Sequence, residues 1–409
     1  MTIKTIPSAA LRPGVYIHDL RCAWMDHPFA RNRFAIRDWE TTQAIRDAGI
    51  GQVVIDTDKG LDPTQDASPS GRTAETPTTP ADTGPEEITP DANMAQPVSV
   101  YQERRDALHI QREATQTITE MMQEVRLGKP VETGRVSDVV DAMIDSVFRN
   151  QDALLSLGLI RNKDRYTFEH SVSVAVLAVA MARSMEFDRE TLSQIGVGAL
   201  LHDIGKARTP LTILNKPGKL TDDEYAVMKK HVVHSHRILS EAPGITPVVL
   251  ATAVEHHERF DGSGYPRGLQ GEEISLFGRM LAICDVYDAI TATRCYREGR
   301  EPGWVLKQML DWAGSHFDPP LVHQFIRCVG IYPVGTLVGM KSGRLGVIIK
   351  PGKKGLLYPV IRLFFDTRSR TFIEPRELDL SDPDAIGTDS IARYESPGRW
   401  GVQPHRFID

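Results

Sequence analysis

Leu200-Leu-His-Asp-Ile-Gly-Lys206 sets a histidine, an aspartate and a lysine at the end of an apolar run, with Gly205 suited to a helix exit. Around it stand His170, His231, the pair His256-His257, and Asp285. Seven of the thirteen histidines fall between positions 170 and 257, so they are concentrated rather than scattered. Neutral imidazole and carboxylate are common ligands of borderline transition metals. The span from His170 to Asp285 reads as a metal centre.

Working outward, residues 160–330 read as almost wholly helical. Apolar patterning predicts helices over 168–185, bearing His170, and over 192–201, ending in His202-Asp203. Thr221-Asp-Asp-Glu224 has the capping-box pattern and predicts a helix that carries His231. Further helices are expected over 247–257, 275–293 (with Asp285), 304–313 and 320–329, with a glycine-rich loop from Glu258 to Gly271. Upstream, residues 135–158 show an apolar stripe of Val139, Met143, Val147 and Leu154. The polar stretch 100–129 could relay movement or pair with a second subunit; its simpler reading is a surface helix packed on the main domain.

The flanks differ in kind. Residues 1–60 read as a small α/β module, with strands at Gly14-Val-Tyr-Ile-His-Asp-Leu and Gln52-Val-Val-Ile-Asp and a helix from Asp38 to Ala48. Trp24 and Phe29 could form a recognition loop, but core packing is the commoner use of such residues. Residues 61–100 hold seven prolines and few large apolar side chains, which predicts a disordered tether. That tether alone carries the net charge of −6, so overall charge neither favours nor excludes an anionic substrate. Residues 331–409 are β-rich, and Pro359 suggests that its strand lies at a sheet edge. Basic residues there read as interleaved surface charge rather than a nucleic-acid site.

No apolar run approaches the ~18–20 residues of a membrane span, and the N-terminus lacks a signal-peptide pattern. Cys22, Cys284, Cys295 and Cys328 form no CxxC and read as reduced thiols of a cytoplasmic protein.

A dinuclear hydrolytic centre needs two ions about 3.5–4 Å apart, a bridging carboxylate and open positions for water and substrate. Asp203 can bridge, with His170, His202 and Asp285 around one ion and His231, His256 and His257 around the other. Neighbouring residues on a helix point about 100° apart, so His256 and His257 share an ion most easily at a helix end. A lone histidine on an apolar helix is more often a core residue than a ligand. That reading must account for His-Asp and His-His pairs together, each beside a helix end, which is difficult. His234 and His236 are read as nonligands.

His202-Asp-Ile-Gly-Lys, Leu214-Asn-Lys-Pro-Gly-Lys-Leu-Thr, His256-His-Glu-Arg-Phe-Asp-Gly-Ser-Gly-Tyr-Pro and Asp285-Val-Tyr-Asp-Ala-Ile-Thr follow one another in this order. Over about residues 135–330 the chain resembles the HD-GYP family of HD-domain metal-dependent phosphohydrolases, whose members degrade cyclic di-GMP. The resemblance implies a multidomain chain: an HD-type all-α bundle flanked by the N-terminal α/β module and a small C-terminal β-domain. With the flanks as read above, the segments are 1–60 regulatory, 61–100 tether, 101–134 connecting helix, 135–330 catalytic by the resemblance, and 331–409 β-rich. Residues 1–60 are similar to a poorly characterised domain that precedes some family members.

By the same resemblance the metal ligands are His170, His202, Asp203, His231, His256, His257 and Asp285, with iron or manganese preferred. Lys206 would hold the scissile phosphate, and Arg294 and Arg297 would contact substrate. Gly262, Gly264, Tyr265 and Pro266 form the signature loop, tied in the family to substrate contact and to docking of GGDEF domains. The implied reaction is attack of a metal-bridging hydroxide on cyclic di-GMP, giving pGpG and, in a further step, GMP. Rival expectations are another cyclic dinucleotide substrate, or a slow-turnover cyclic-di-GMP binding protein. Two departures stand out: Tyr166 replaces a glutamate that supports a third metal in some members, and Cys295 replaces a proline.

Overall fold

A computed structural model describes residues 3–21, 34–47, 49–63, 98–158, 166–292, 299–382 and 389–408. The chain divides into two compact units, Met1–Ala95 and Gln96–Asp409. In the first, β1 (Ile3–Pro7), β2 (Tyr16–Asp19), β3 (Phe34–Ala35), α1 (Trp39–Asp47) and β4 (Gln52–Asp56) form an antiparallel sheet of order β1-β4-β2-β3 with one helix. Ile6, Ile17, Ile45, Val53 and Ile55 fill its core. Asp38 caps α1 by accepting the Thr41 amide at 2.7 Å. Strand β1 escapes the sequence reading because Ile6 alone of its residues is buried, which leaves no alternation to detect. Trp24, Phe29 and most of the tether lie outside the described residues.

The second unit begins with α2 (Val100–Arg126) and α3 (Thr133–Leu157). A capping box between Ser99 and Gln102 starts α2, whose buried face runs from Ala107 through Ile118 to Val125. Arg149 of α3 grips the buried Glu103 of α2 through two parallel bonds of 2.6 and 2.7 Å. A planar guanidinium matches a carboxylate in this way, so the pair fixes register as well as attraction. Val139, Met143, Val147 and Leu154 are all buried on α3, although Asn150 interrupts it with an extended backbone.

Next come α4 (Tyr166–Ser184) and α5 (Arg189–Leu201). Every residue from 171 to 182 is buried, as expected of a helix that is apolar all round. Helix α4 packs against α2, α3, α5, α10 and α12, so His170 enters the interior from its first turns. A 3-10 turn (Ile204–Arg208) follows, then α6 (Leu211–Leu214), α7 (Asp222–Lys229), α8 (His231–Ser240), α9 (Pro247–Val254), α10 (Leu276–Thr291), α11 (Pro302–Asp311) and α12 (Pro319–Val329).

One helix expectation is corrected. The capping box at Thr221 starts α7, but α7 stops at Lys229, and His231 opens α8 instead of riding the same helix. The Lys230 amide turns back to Val227 in a 3-10-type bond, and His231 Nδ1 engages the Met228 carbonyl, drawing on the last-turn acceptors of α7.

The C-terminal strands β5 (Leu337–Met340), β6 (Arg344–Gly352), β7 (Gly355–Asp366), β8 (Thr371–Asp379) and β9 (Ile391–Tyr394) form an antiparallel sheet of order β8-β7-β6-β5-β9, and α13 (Pro397–Trp400) follows. Pro359 therefore lies in an inner strand, not at an edge. It falls where the β6–β7 register shifts between Lys350 and Gly352, so its missing N–H costs no ladder bond. The edge strand β8 carries a proline of its own, Pro375. Among the described residues no helix is long and apolar enough to cross a membrane. Cys284 and Cys328 are free and buried, while Cys22 and Cys295 lie outside the described residues.

Candidate metal centre

Three helices end at one place, and each leaves a histidine there. His202 follows α5, His231 follows α7, and His256 follows α9. In each, Nδ1 lies against the carbonyl three residues earlier: Ala199 at 2.7 Å, Met228 at 2.8 Å and Ala253 at 2.9 Å. A carbonyl can only accept, so Nδ1 carries the proton and Nε2 is left with its lone pair. The last-turn carbonyls of a helix lack intrahelical partners, which is why this local bond forms at helix ends. It orients all three rings.

Those lone pairs converge. His202 Nε2, His231 Nε2, His256 Nε2 and Asp203 Oδ1 are buried and have no hydrogen-bond partner. Stranding one such atom costs about 1–3 kcal/mol, so four together at one spot call for a cation. The donors form three overlapping groups, each with ligand atoms within 4.8 Å of one another: His170-His202-Asp285, His202-Asp203-His256 and His231-His256-His257. Together these hold all seven residues expected from the sequence and neither His234 nor His236. Asp203 stands between the outer groups, with Oδ2 at 3.3 Å from His202 Nε2 and Oδ1 at 3.4 Å from His231 Nε2. Imidazole and carboxylate donors in this number fit a multinuclear site for transition-metal ions.

The electrostatics prepare the donors. Burial pushes His231 down to about 4 and His257 down to about 3, and drives His256 well below its usual range. All three are neutral at pH 7, as a ligand must be. Burial is the largest single influence on Asp203 and Asp285 and works to raise both, but the neighbouring groups together, led by the Lys206 ammonium at Asp203 and by the His170 hydrogen bond at Asp285, outweigh it and keep both ionised. His170 differs from the others. Its Nε2 lies 2.9 Å from Asp285 Oδ1 and its Nδ1 2.6 Å from Asp288 Oδ2. Burial alone would lower it, yet the bonds to Asp285 and Asp288 raise it to about 9.

Lys206 sits on the 3-10 turn after Asp203, with Nζ 2.5 Å from Asp203 Oδ2. The turn is pressed onto α8 so closely that a Cβ on Gly205 would lie 1.9 Å from the His231 carbonyl oxygen. Ser235 locks the contact: its Oγ accepts the Gly205 N–H at 2.9 Å and donates to the His202 carbonyl at 2.9 Å.

The glycine-rich loop is pinned from beneath by two acids that flank the His-His pair. Glu258 accepts the Arg267 amide at 2.8 Å and the Leu269 amide at 3.1 Å. Glu255 accepts the Ser275 amide at 2.8 Å and pairs with the Arg267 guanidinium. Gly264 passes so near Glu258 and Arg259 that any side chain there would collide with backbone, at 2.3 Å from the Arg259 nitrogen. The Tyr265 amide then reaches the His257 carbonyl at 3.1 Å, and the two rings lie 4.7 Å apart. Gly262 and Pro266 complete the loop.

Arg294, Cys295 and Arg297 lie outside the described residues, and Tyr166 is described only as the first residue of α4. Sequence reading passed over Asp288, Ser235, Glu255 and Glu258. A signal existed for Asp288, an acid one helical turn after Asp285 in an apolar stretch, where an unpaired acid is rarely buried. None marked Ser235.

Residues 156–321 match the family model described as HD domain, and residues 3–136 match one described as a domain of unknown function (DUF3391). A cyclic di-GMP phosphodiesterase of Pseudomonas aeruginosa is 39% identical over 402 residues, covering 98% of this chain and 94% of that protein. A 3'3'-cGAMP-specific phosphodiesterase of Vibrio cholerae is 43% identical over 145 residues, 36% of this chain and 33% of that protein. An HDGYP protein of Bdellovibrio bacteriovorus aligns in structure with a TM-score of 0.45 at 16% identity, over 79% of this chain and 98% of that one. With a relative matched from end to end and the HD motif region matched by the family model, the chain belongs to the HD-GYP family of metal-dependent phosphohydrolases.

Proposed function

We propose that this chain hydrolyses cyclic di-GMP to pGpG at a two-ion centre held by His170, His202, Asp203, His231, His256, His257 and Asp285. The carrying observation is the convergence of three orphaned Nε2 atoms and one carboxylate oxygen in a buried cluster. The substrate rests on the end-to-end similarity to a cyclic di-GMP phosphodiesterase. Iron or manganese suits five imidazoles and two carboxylates without thiolate. Bound ions supply Lewis acidity and lower the pKa of the attacking water.

The chain's own residues do the rest. Asp203 joins the two donor groups and sets their spacing. Lys206, beside it, presents a compact positive charge where a non-bridging phosphate oxygen gains charge in the transition state. Tyr265, tilted against His257 at 4.7 Å, covers that side of the cluster. Arg294 and Arg297 hold the second phosphate. The loop from Glu258 to Gly271 is partly exposed beside the cluster and is where a GGDEF domain would dock.

Asp203→Asn in manganese-loaded protein tests the reading: turnover of cyclic di-GMP falls at least 100-fold and bound metal drops below two ions per chain. Unchanged turnover and metal content would contradict it. A second reading, 3'3'-cGAMP as substrate, is favoured by the 43% match to an enzyme of that specificity. Hydrolysis rates on both dinucleotides, measured side by side, separate the two.

A further inference from the structure

We infer that Asp288 is a positioning residue that makes the two ion positions unequal, because it backs His170 with a charged acceptor where three other histidines lean on neutral carbonyls. Both side chains are buried, His170 at 5% exposure and Asp288 at 3%, and the bond between them is 2.6 Å. Only the carboxylate oxygen is in place to take the Nδ1 proton in that bond, so Nε2 is turned toward Asp285 and the cluster. His202, His231 and His256 instead give Nδ1 to the carbonyls of Ala199, Met228 and Ala253, at 2.7, 2.8 and 2.9 Å.

A carboxylate accepts such a proton more strongly than a peptide carbonyl does. It makes the imidazole a better donor at Nε2 and stiffens the ring's orientation. One helix delivers both aspartates. Asp285 and Asp288 lie one turn apart on α10, so the first faces His170 Nε2 while the second takes Nδ1. The His170-His202-Asp285 group thus has an aspartate among its donors and another behind one of them. Among the described residues, the His231-His256-His257 group has no acid of its own beyond the shared Asp203. The first position holds its ion more tightly and fills first.

This rests on the two-ion reading of the cluster but not on the choice of substrate. The experiment is anaerobic calorimetric titration of the metal-free full chain with Mn2+, in wild type, Asp288→Asn and Asp288→Ala. Wild type takes up two ions in a tighter and a weaker step. In D288A the tighter step weakens by about 10–100-fold while the weaker step moves less than about threefold, and D288N falls between because its amide oxygen still accepts. If D288A does not fold, D288N carries the comparison. Two equal steps in wild type, an unchanged tighter step in the variants, or equal weakening of both steps would overturn the inference and leave the two-ion reading standing. No uptake by wild type would overturn both.

Discussion

What Nδ1 touches decides what Nε2 can do at His170, His202, His231 and His256. A carbonyl or carboxylate on one side fixes the tautomer and aims the lone pair of the other side inward. The backbone behind the rings is equally constrained. Gly205→Ala would drive a methyl into the His231 carbonyl, so a cost of about 3 kcal/mol and loss of metal uptake are expected, read by thermal unfolding and metal analysis. A variant that kept both would mean the turn has room to shift. Ser235→Ala, which strands the Gly205 N–H and the His202 carbonyl, costs about 1–3 kcal/mol and is the milder test of the same contact. At this scale the donors themselves were legible, because their types and their pairing beside helix ends are written in the chain. Ser235 acts across 30 residues of sequence with no local pattern to announce it, and Asp288, though marked as an acid in an apolar stretch, meets a partner 118 residues away that the pattern does not name.

Helix ends organise the site at the next scale up. The C-termini of α5, α7 and α9 point at the cluster, and the negative end of a helix favours a cation. The signature loop is an element too, and Glu258→Gln tests how it is held. An amide cannot accept from both Arg267 and Leu269, so hydrogen exchange over residues 260–271 speeds up and KM rises, while metal content stays at the wild-type value. Loss of metal would instead make Glu258 part of the cluster's support. On α3, burial pushes Asp152 up to about 6, with Arg183 only partly offsetting it. The folded chain holds that proton to higher pH than the unfolded chain does. Stability therefore declines as pH rises from about 4 to about 6, and the cost persists above that. Asp152→Asn should raise the unfolding midpoint at pH 8 by roughly 2–4 °C and leave it unchanged near pH 4; an equal rise at both would refute the charge argument.

Legibility at the element scale followed the strength of local signals. The buried stripe of α3 and the cap at Asp38 were clear. The break between α7 and α8 was not, since the sequence runs on without proline or glycine from Thr221 to Ser240 and the turn is made by backbone and His231. Pro359 misled because a proline can sit in an inner strand at a register shift, whereas Pro375 stands on the true edge.

At the scale of the molecule, the helical core, the N-terminal α/β module and a β-rich C-terminal domain were anticipated from shifts in composition and periodicity, while the five-stranded order of the last was not. The second unit, from Gln96 onward, binds its parts together through α2, whose Glu103 pairs with α3 and whose Arg104 donates to the His405 carbonyl at 2.7 Å. Arg126 at its far end donates to the Ala207 carbonyl at 3.2 Å, on the turn that bears Lys206. We propose that this core is a two-ion cyclic di-GMP phosphodiesterase. The most direct test measures bound metal and cyclic di-GMP turnover on one anaerobic preparation of the full chain, before and after chelation. Two iron or manganese ions per chain, conversion to pGpG, loss of activity with the metal and recovery on its return are the expected results. Turnover that survives complete removal of metal, or two bound ions with no hydrolysis of cyclic di-GMP, would contradict the proposal.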